Sequence, residues 1–80
     1  MDGFKDIIIL LLQIEQDYSV PKNVRLRVKN TINLLEENTD MGIKIDKSLQ
    51  ELDEIAEDPN VPSYTRTQIW NVVSMLESKH

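Results

Sequence analysis

Cysteine is absent from this sequence of 80 residues, and glycine, proline and histidine are scarce. Without cysteine the chain cannot form a disulfide, a thiolate metal site or a cysteine nucleophile. The single histidine, His80, is the last residue, and no glycine-rich phosphate-binding loop is present. These absences give no support to catalysis, so we expect a protein that is not an enzyme and uses no cofactor.

A basic surplus and a long apolar run are also lacking. Nine basic and fourteen acidic residues give a net charge of −5, whereas proteins that bind duplex nucleic acid normally carry excess positive charge. The apolar run Ile7–Leu12 is far shorter than the roughly 20 residues that span a bilayer. Asp2 and Asp6 flank it where a signal peptide would be basic. We therefore expect a cytoplasmic protein without a membrane segment.

The sequence does contain an internal repeat. The segment Asp17–Pro21 recurs as Asp58–Pro62, a spacing of 41 residues. The same spacing relates further pairs, namely Ile8 and Leu49, Leu11 and Leu52, Ile14 and Ile55, Val24 and Thr65, Arg25 and Arg66, and Leu35 and Leu76. The chain is thus predicted to be one domain, residues 1–80, made of two helical hairpins at about residues 2–38 and 43–79.

Apolar residues at helical spacing predict four helices. Their expected bounds are Gly3–Gln16, Pro21–Glu37, Lys44–Glu57 and Pro62–Ser78. Asp2 is placed to cap the first helix. Pro21 and Pro62 suit a first helical position, because proline lacks an amide hydrogen and has a fixed φ. The segment Asn38–Gly42 is predicted to be the break between the two copies.

Each hairpin has one apolar side that needs a cover. Open repeat arrays generally need at least three units for stability, so two hairpins are predicted to face each other. The expected fold is an all-α, antiparallel, up-and-down four-helix bundle with short loops. Its predicted core consists of Phe4, Ile7, Ile8, Leu11, Ile14, Val24, Val28, Ile32, Leu35, Ile45, Leu49, Leu52, Ile55, Ile69, Val72, Val73 and Leu76.

The repeated unit resembles a HEAT repeat. Asp17 followed by Val24 and Arg25 matches that pattern well, and Asp58 followed by Thr65–Arg66 matches less well because Thr replaces Val. In that family the turn aspartate and the helix arginine form a polar ladder between neighbouring units. The resemblance implies that Arg25 or Arg66 reaches a turn aspartate, within its own copy or across copies. The alternative is that both arginines point into water.

The chain as a whole resembles a family of short archaeal proteins, the uncharacterised protein family 0147. The resemblance covers nearly all of the chain and depends on its length and on two Val-Pro turns, Val20–Pro21 and Val61–Pro62. It implies a small all-helical fold and no particular activity.

Two charged surfaces are candidate binding sites. The acidic residues Glu51, Asp53, Glu54, Glu57 and Asp58 offer oxygen ligands of the kind that Mg²⁺ and Ca²⁺ prefer. They are spread around much of the helix, which favours a solvated acidic face over a metal site.

The basic stripe Lys22, Arg25 and Lys29 could contact RNA phosphates or an acidic partner. The net negative charge favours the simpler interpretation, in which this stripe is the solvent-facing side of the second helix.

Ile9, Leu26 and Trp70 each lie on a helix face that is otherwise polar. A tryptophan near an arginine is typical of protein interfaces, so Trp70 with Arg66 is predicted to contribute to a protein contact or to self-association. The alternative is that a neighbouring loop or terminus covers Trp70. The sequence thus favours a small non-catalytic interaction or scaffold module. Its alternative is an RNA- or ribonucleoprotein-associated accessory protein that uses the basic stripe.

Overall fold

Four α-helices make up most of the computed structural model, which describes residues 3–79. They are α1 (Lys5–Glu15), α2 (Lys22–Glu36), α3 (Met41–Ala56) and α4 (Ser63–Lys79). Helix α1 packs against α2 and α4, and α3 packs against the same two helices. The α1–α2 and α3–α4 turns lie at one end, called here the turn end, and the α2–α3 loop lies at the other. The predicted all-α four-helix bundle of two hairpins is confirmed.

Helix boundaries follow the proline and aspartate signals. Helices α2 and α4 begin directly after Pro21 and Pro62. Helix α3 begins at Met41, so the prediction that it starts at Lys44 was wrong. The reason is Asp40, whose carboxylate accepts a hydrogen bond of 3.2 Å from the amide of Ile43 and thereby caps the helix.

Two sequence predictions concern chain ends. The expected cap Asp2 and the terminal His80 lie outside the described residues. The residue that precedes α1 in the structure is Phe4, which makes no side-chain capping bond. Phe4 is instead buried in the core.

The core lies between the four helices and matches the predicted list closely. Every predicted core residue is buried except Ile8 and Leu49, which are half-buried and pack against the core from its edge. Val20 and Val61, which precede the turn prolines, are buried as well. Each valine is held out of the helix by the proline that follows, and its side chain closes the core at the turn end.

Two buried hydroxyl groups in the second hairpin lack a hydrogen-bond partner. They belong to Ser48 and Thr65, both fully buried. The first hairpin has Ile7 and Val24 at the equivalent positions. A buried polar group without a partner costs about 1–3 kcal/mol, so these hydroxyls lower the stability of the second hairpin.

We expect Thr65→Val to raise the free energy of unfolding by about 1 kcal/mol, because it removes an unpartnered hydroxyl at nearly constant volume. The matched control is Thr31→Val. Thr31 is equally buried, but its hydroxyl donates a hydrogen bond of 3.1 Å to the carbonyl of Arg27. Urea unfolding of both variants should show a gain for Thr65→Val and none for Thr31→Val. Equal effects would contradict this explanation.

Candidate functional site

The turn end of the bundle carries the densest group of polar contacts. Each turn is organised by its aspartate in the same way. The Asp17 carboxylate accepts hydrogen bonds from the Ser19 amide at 2.9 Å and from the Ser19 hydroxyl at 2.7 Å. The Asp58 carboxylate accepts one from the Asn60 amide at 2.8 Å. These Asx turns explain why aspartate recurs at both positions.

The two repeated arginines bind carbonyl oxygens near their own turns. Arg25 donates from Nε to the Val20 carbonyl at 3.0 Å. Arg66 donates to the carbonyls of Ala56 at 2.7 Å, of Asp58 at 3.2 Å and of Val61 at 3.4 Å. Arg66 thus reaches the turn aspartate of its own copy, but it binds the backbone carbonyl of Asp58 and not the carboxylate.

A ladder of arginine and aspartate side chains between the copies is not formed. The aspartate carboxylates already bind amides of their own turns, and the guanidinium groups bind carbonyls. At the turn end, the side-chain contact between copies comes from Tyr64 instead. Its hydroxyl donates to the Asp17 carboxylate at 2.7 Å and also contacts the Ser19 hydroxyl. This cross-turn bridge had no sequence signal, because the first copy has Asn23 where the second has Tyr64.

Hydrogen bonds to the Asp17 carboxylate lower its pKa below the ordinary value of 3.8. The largest contribution comes from the Ser19 hydroxyl, followed by the Tyr64 hydroxyl of the bridge and the Ser19 amide. A carboxyl group with a lowered pKa in the folded state stabilises the fold at pH values above 3.8. That contribution is lost as the pH falls through the lowered pKa.

We expect Tyr64→Phe to raise the pKa of Asp17 towards 3.8, because one of the hydrogen bonds to its carboxylate is lost. An NMR titration of the Asp17 carboxyl carbon measures this shift. The control is Tyr18→Phe, since the Tyr18 ring lies under the Arg25 guanidinium, 4.9 Å from it, and is mostly exposed. An unchanged Asp17 titration in Tyr64→Phe would show that the bridge is absent in solution.

The acidic residues in the second half of α3 and in the turn after it are divided among different contacts. Arg27 of α2 forms ion pairs with Glu51 at 2.6 Å and with Glu54 at 2.8 Å. Asp58 binds its own turn, and Asp53 and Glu57 are exposed. Across residues 3–79, no group of three or more histidine, cysteine, aspartate or glutamate residues could hold a metal ion. Sequence reasoning missed Arg27, which joins the two hairpins through α2 and α3.

The basic stripe is interrupted by the arginine at its centre. Lys22 and Lys29 are exposed, whereas Arg25 is half-buried and occupied by the Val20 carbonyl and the Tyr18 ring. The two remaining lysines are seven residues apart, about 10 Å along a helix. This geometry adds nothing in favour of the RNA alternative.

The apolar residues that the sequence places on polar faces, Ile9, Leu26 and Trp70, are all exposed and lie on three different helices. Ile9 is 47% exposed, Leu26 is 53% exposed and Trp70 is 45% exposed. They lie on α1, α2 and α4 respectively. Trp70 is one turn beyond Arg66, which reaches the end of α3, so Trp70 lies on the side of α4 that borders α3.

On the outer side of each hairpin, the facing edges of its two helices define a surface that is called here the groove of that hairpin. In the second hairpin, Glu51 meets Arg27 of α2, so the opposite edge of α3 borders α4. That edge and the Arg66 side of α4 form the hairpin-2 groove, which comprises Asp46, Leu49, Asp53, Glu57, Arg66 and Trp70. The equivalent positions form the hairpin-1 groove, which comprises Lys5, Ile8, Leu12, Gln16, Arg25 and Lys29.

A shallow cleft lies at the loop end of the bundle. Its volume is about 400 Å³, and it is lined by Gly3, Phe4, Ile8, Leu35, Glu36, Met41 and Lys44. The Lys44 ammonium group lies 5.3 Å from the centre of the Phe4 ring and donates a hydrogen bond of 2.9 Å to the Glu37 carbonyl. Among the helices of the described residues, none is both long enough and apolar enough to cross a membrane.

Comparison with known proteins places this bundle among proteins of very similar length. Residues 1–78 match the model of an uncharacterised protein family, UPF0147. A relative from Sulfurisphaera tokodaii, named UPF0147 protein, is 43% identical over 75 residues, which cover 92% of this chain and 84% of the relative.

Two crystal structures share the fold. One is of MMP1188, described as a protein of unknown function. It is 42% identical, covers 96% of this chain and 89% of its own, and superposes with a TM-score of 0.89. The other is of a protein from the same uncharacterised family in Thermoplasma acidophilum. It is 35% identical, covers 98% of this chain and 93% of its own, and has a TM-score of 0.92.

Proposed function

The chain belongs to the uncharacterised protein family UPF0147, and we propose from its own surface that it is a small, non-catalytic protein–protein interaction or scaffold module. The observation that carries this proposal is Trp70. The side chain is 45% exposed on a bundle whose core is already filled by other residues, so folding alone does not require a tryptophan there. Tryptophan is enriched at interface hot spots, whereas Arg66, one turn away, is bound by the carbonyls around its own turn.

The outer grooves extend the same argument. Leu12 is exposed in the hairpin-1 groove, and each groove contains one half-buried aliphatic residue that packs against the core, Ile8 or Leu49. Ile9 and Leu26 are exposed on the first hairpin as well, outside the groove residues. Isolated exposed apolar residues are normal on a soluble protein. Apolar side chains that border a groove and are surrounded by charges are characteristic of contact surfaces. We also propose that the protein acts in the cytoplasm, because a chain without cysteine does not rely on the disulfides that secreted small domains use.

A photoreactive amino acid at position 70 tests the proposal. We expect ultraviolet irradiation in a native cell extract to give one discrete crosslinked species, because Trp70 lies within the contact surface. The matched control has the same photoreactive residue at Asn71, which is exposed on the same helix but on the side of Tyr64 and not on that of Arg66. If positions 70 and 71 give the same diffuse background, the exposed tryptophan is not part of an interface.

A further inference from the structure

The two outer grooves consist of equivalent positions but differ in chemistry. Equivalent positions in the first and second copy are Lys5 and Asp46, Leu12 and Asp53, Gln16 and Glu57, and Lys29 and Trp70. All of these residues are exposed. Between residues 9 and 33 no exposed residue is acidic, because Glu15 and Asp17 are half-buried. Glu36 is an exposed acid at the loop end of the hairpin-1 groove, where it lines the cleft together with Ile8. Apart from that end, the hairpin-1 groove is basic and aliphatic, whereas the hairpin-2 groove is acidic and contains the tryptophan.

The grooves cannot meet within one molecule. The bundle is a closed ring in which α1 packs against α4 and α2 packs against α3, so the outer sides of the two hairpins face in opposite directions. We propose that the hairpin-1 groove of one copy binds the hairpin-2 groove of a second copy, head to tail. This inference rests on the proposed function and names the partner as another copy of the same chain.

Charge complementarity selects this arrangement over a symmetric one. Two hairpin-1 grooves would bring Lys5 and Lys29 against lysines, and two hairpin-2 grooves would bring Asp53 and Glu57 against acids. Like charges in contact are unfavourable. In the head-to-tail contact the lysines face Asp53 and Glu57. The Trp70 ring can then cover Leu12, which is 38% exposed, and can present its face to a lysine ammonium.

The size of the molecule sets the strength of the contact. The Cα atoms extend over 32 × 18 × 17 Å, so one side of the bundle offers about 600 Å² per copy, below the roughly 800 Å² per partner of a standard interface. The association is therefore weak and depends on protein concentration. It also depends on salt, because the charges at its edge are exposed to solvent. Since the two faces differ, the contact repeats and can build chains longer than a dimer.

Two double variants disrupt one groove at a time, and their neutral substitutions create no new complementary charges. Leu12→Gln with Lys29→Gln removes one apolar and one basic side chain from the hairpin-1 groove. Asp53→Gln with Trp70→Gln removes one acidic side chain and the tryptophan from the hairpin-2 groove. All four positions are exposed on helices, and glutamine is a good helix former, so both variants are expected to fold. Circular dichroism checks this directly.

Sedimentation equilibrium measures the outcome. We expect the average mass of the wild-type protein to rise beyond that of a dimer as its concentration approaches about 1 mM, and to fall when salt is raised from about 0.05 to 0.5 M. Each double variant alone should remain a monomer. An equimolar mixture should form dimers and nothing larger, because the unchanged hairpin-2 groove of one variant can bind the unchanged hairpin-1 groove of the other.

Three results would overturn the inference: a wild-type protein that stays monomeric, a mixture that stays monomeric, or a hairpin-1 variant that associates like the wild type. The inference would also be overturned if the wild-type protein does not self-associate but binds an RNA oligonucleotide in a gel-shift assay, and if that binding requires Lys29. A crosslink from position 70 to a different protein would leave the proposed function standing while this inference fails. The absence of any crosslink would remove the proposed function itself.

Discussion

Replacing Leu52 with alanine is expected to lower the free energy of unfolding by about 2–5 kcal/mol. The Leu52 side chain is completely buried among the helices, so truncation removes apolar contacts and leaves a cavity that the closed ring cannot easily fill. Small domains have a total stability of only about 5–15 kcal/mol. A single truncation therefore removes a large part of it, and urea unfolding with linear extrapolation measures the loss.

Two control variants show whether burial is the cause. Leu11 is the equivalent residue of the first hairpin and is also completely buried, so Leu11→Ala should cost a similar amount. Leu26 is 53% exposed on α2, and Leu26→Ala should change stability by no more than about 0.5 kcal/mol. A small loss for Leu52→Ala, comparable with that of Leu26→Ala, would contradict the described core.

Arg66→Ala is expected to cost about 2 kcal/mol, because hydrogen bonds from a charged donor contribute roughly 1.5–3 kcal/mol when partly buried. The Arg66 guanidinium satisfies three carbonyl oxygens around the α3–α4 turn. One of them belongs to Ala56, the last residue of α3, where carbonyls have no partner within the helix. The positive charge there also interacts favourably with the helix dipole.

The equivalent arginine supplies the control. Arg25 binds a single carbonyl, that of Val20, so Arg25→Ala should cost about 1 kcal/mol or less. Arg66→Lys keeps the charge but loses the planar fork, and should restore only part of the stability. Chemical unfolding of the three variants compares them directly. If Arg25→Ala proves as costly as Arg66→Ala, the number of satisfied carbonyls is not what makes Arg66 important.

Much of the fold follows from local and repeated features of the sequence. Apolar residues recur at helical spacing around Leu11 and around its equivalent Leu52, which indicates helices with one buried side. Pro21 and Pro62 mark where the second helix of each hairpin begins. Two such hairpins have few ways to bury their apolar sides other than against each other. These signals are local or periodic, which is why they predict the helices, the core and the closed ring.

The polar contacts between hairpins could not be predicted in the same way. Tyr64 binds Asp17 across 47 residues of sequence, and Arg27 pairs with Glu51 across 24. Such contacts depend on how the hairpins are placed in three dimensions, and the other copy has a different type of residue at the positions equivalent to Tyr64 and Arg27. The early start of α3 was missed because Asp40 can be either a turn residue or a cap.

The candidate site was predicted only in part. The sequence singled out Trp70 and Lys29, and the spacing of 41 residues already made them equivalent. The sequence alone did not show that the residues around them line corresponding grooves on opposite sides of a ring. The two copies share apolar residues where a common core requires them, and they differ where each hairpin faces solvent.

Native-state hydrogen exchange tests most directly whether the two hairpins share one cooperative core. The amides of Leu11 and Val28 in the first hairpin and of Leu52 and Val72 in the second lie within helices around this core. If the hairpins stabilise each other, all four should exchange only through global unfolding and report the same free energy. If the amides of one hairpin exchange through a partial unfolding of lower free energy while those of the other stay protected, the hairpins are independent units and the shared core is contradicted.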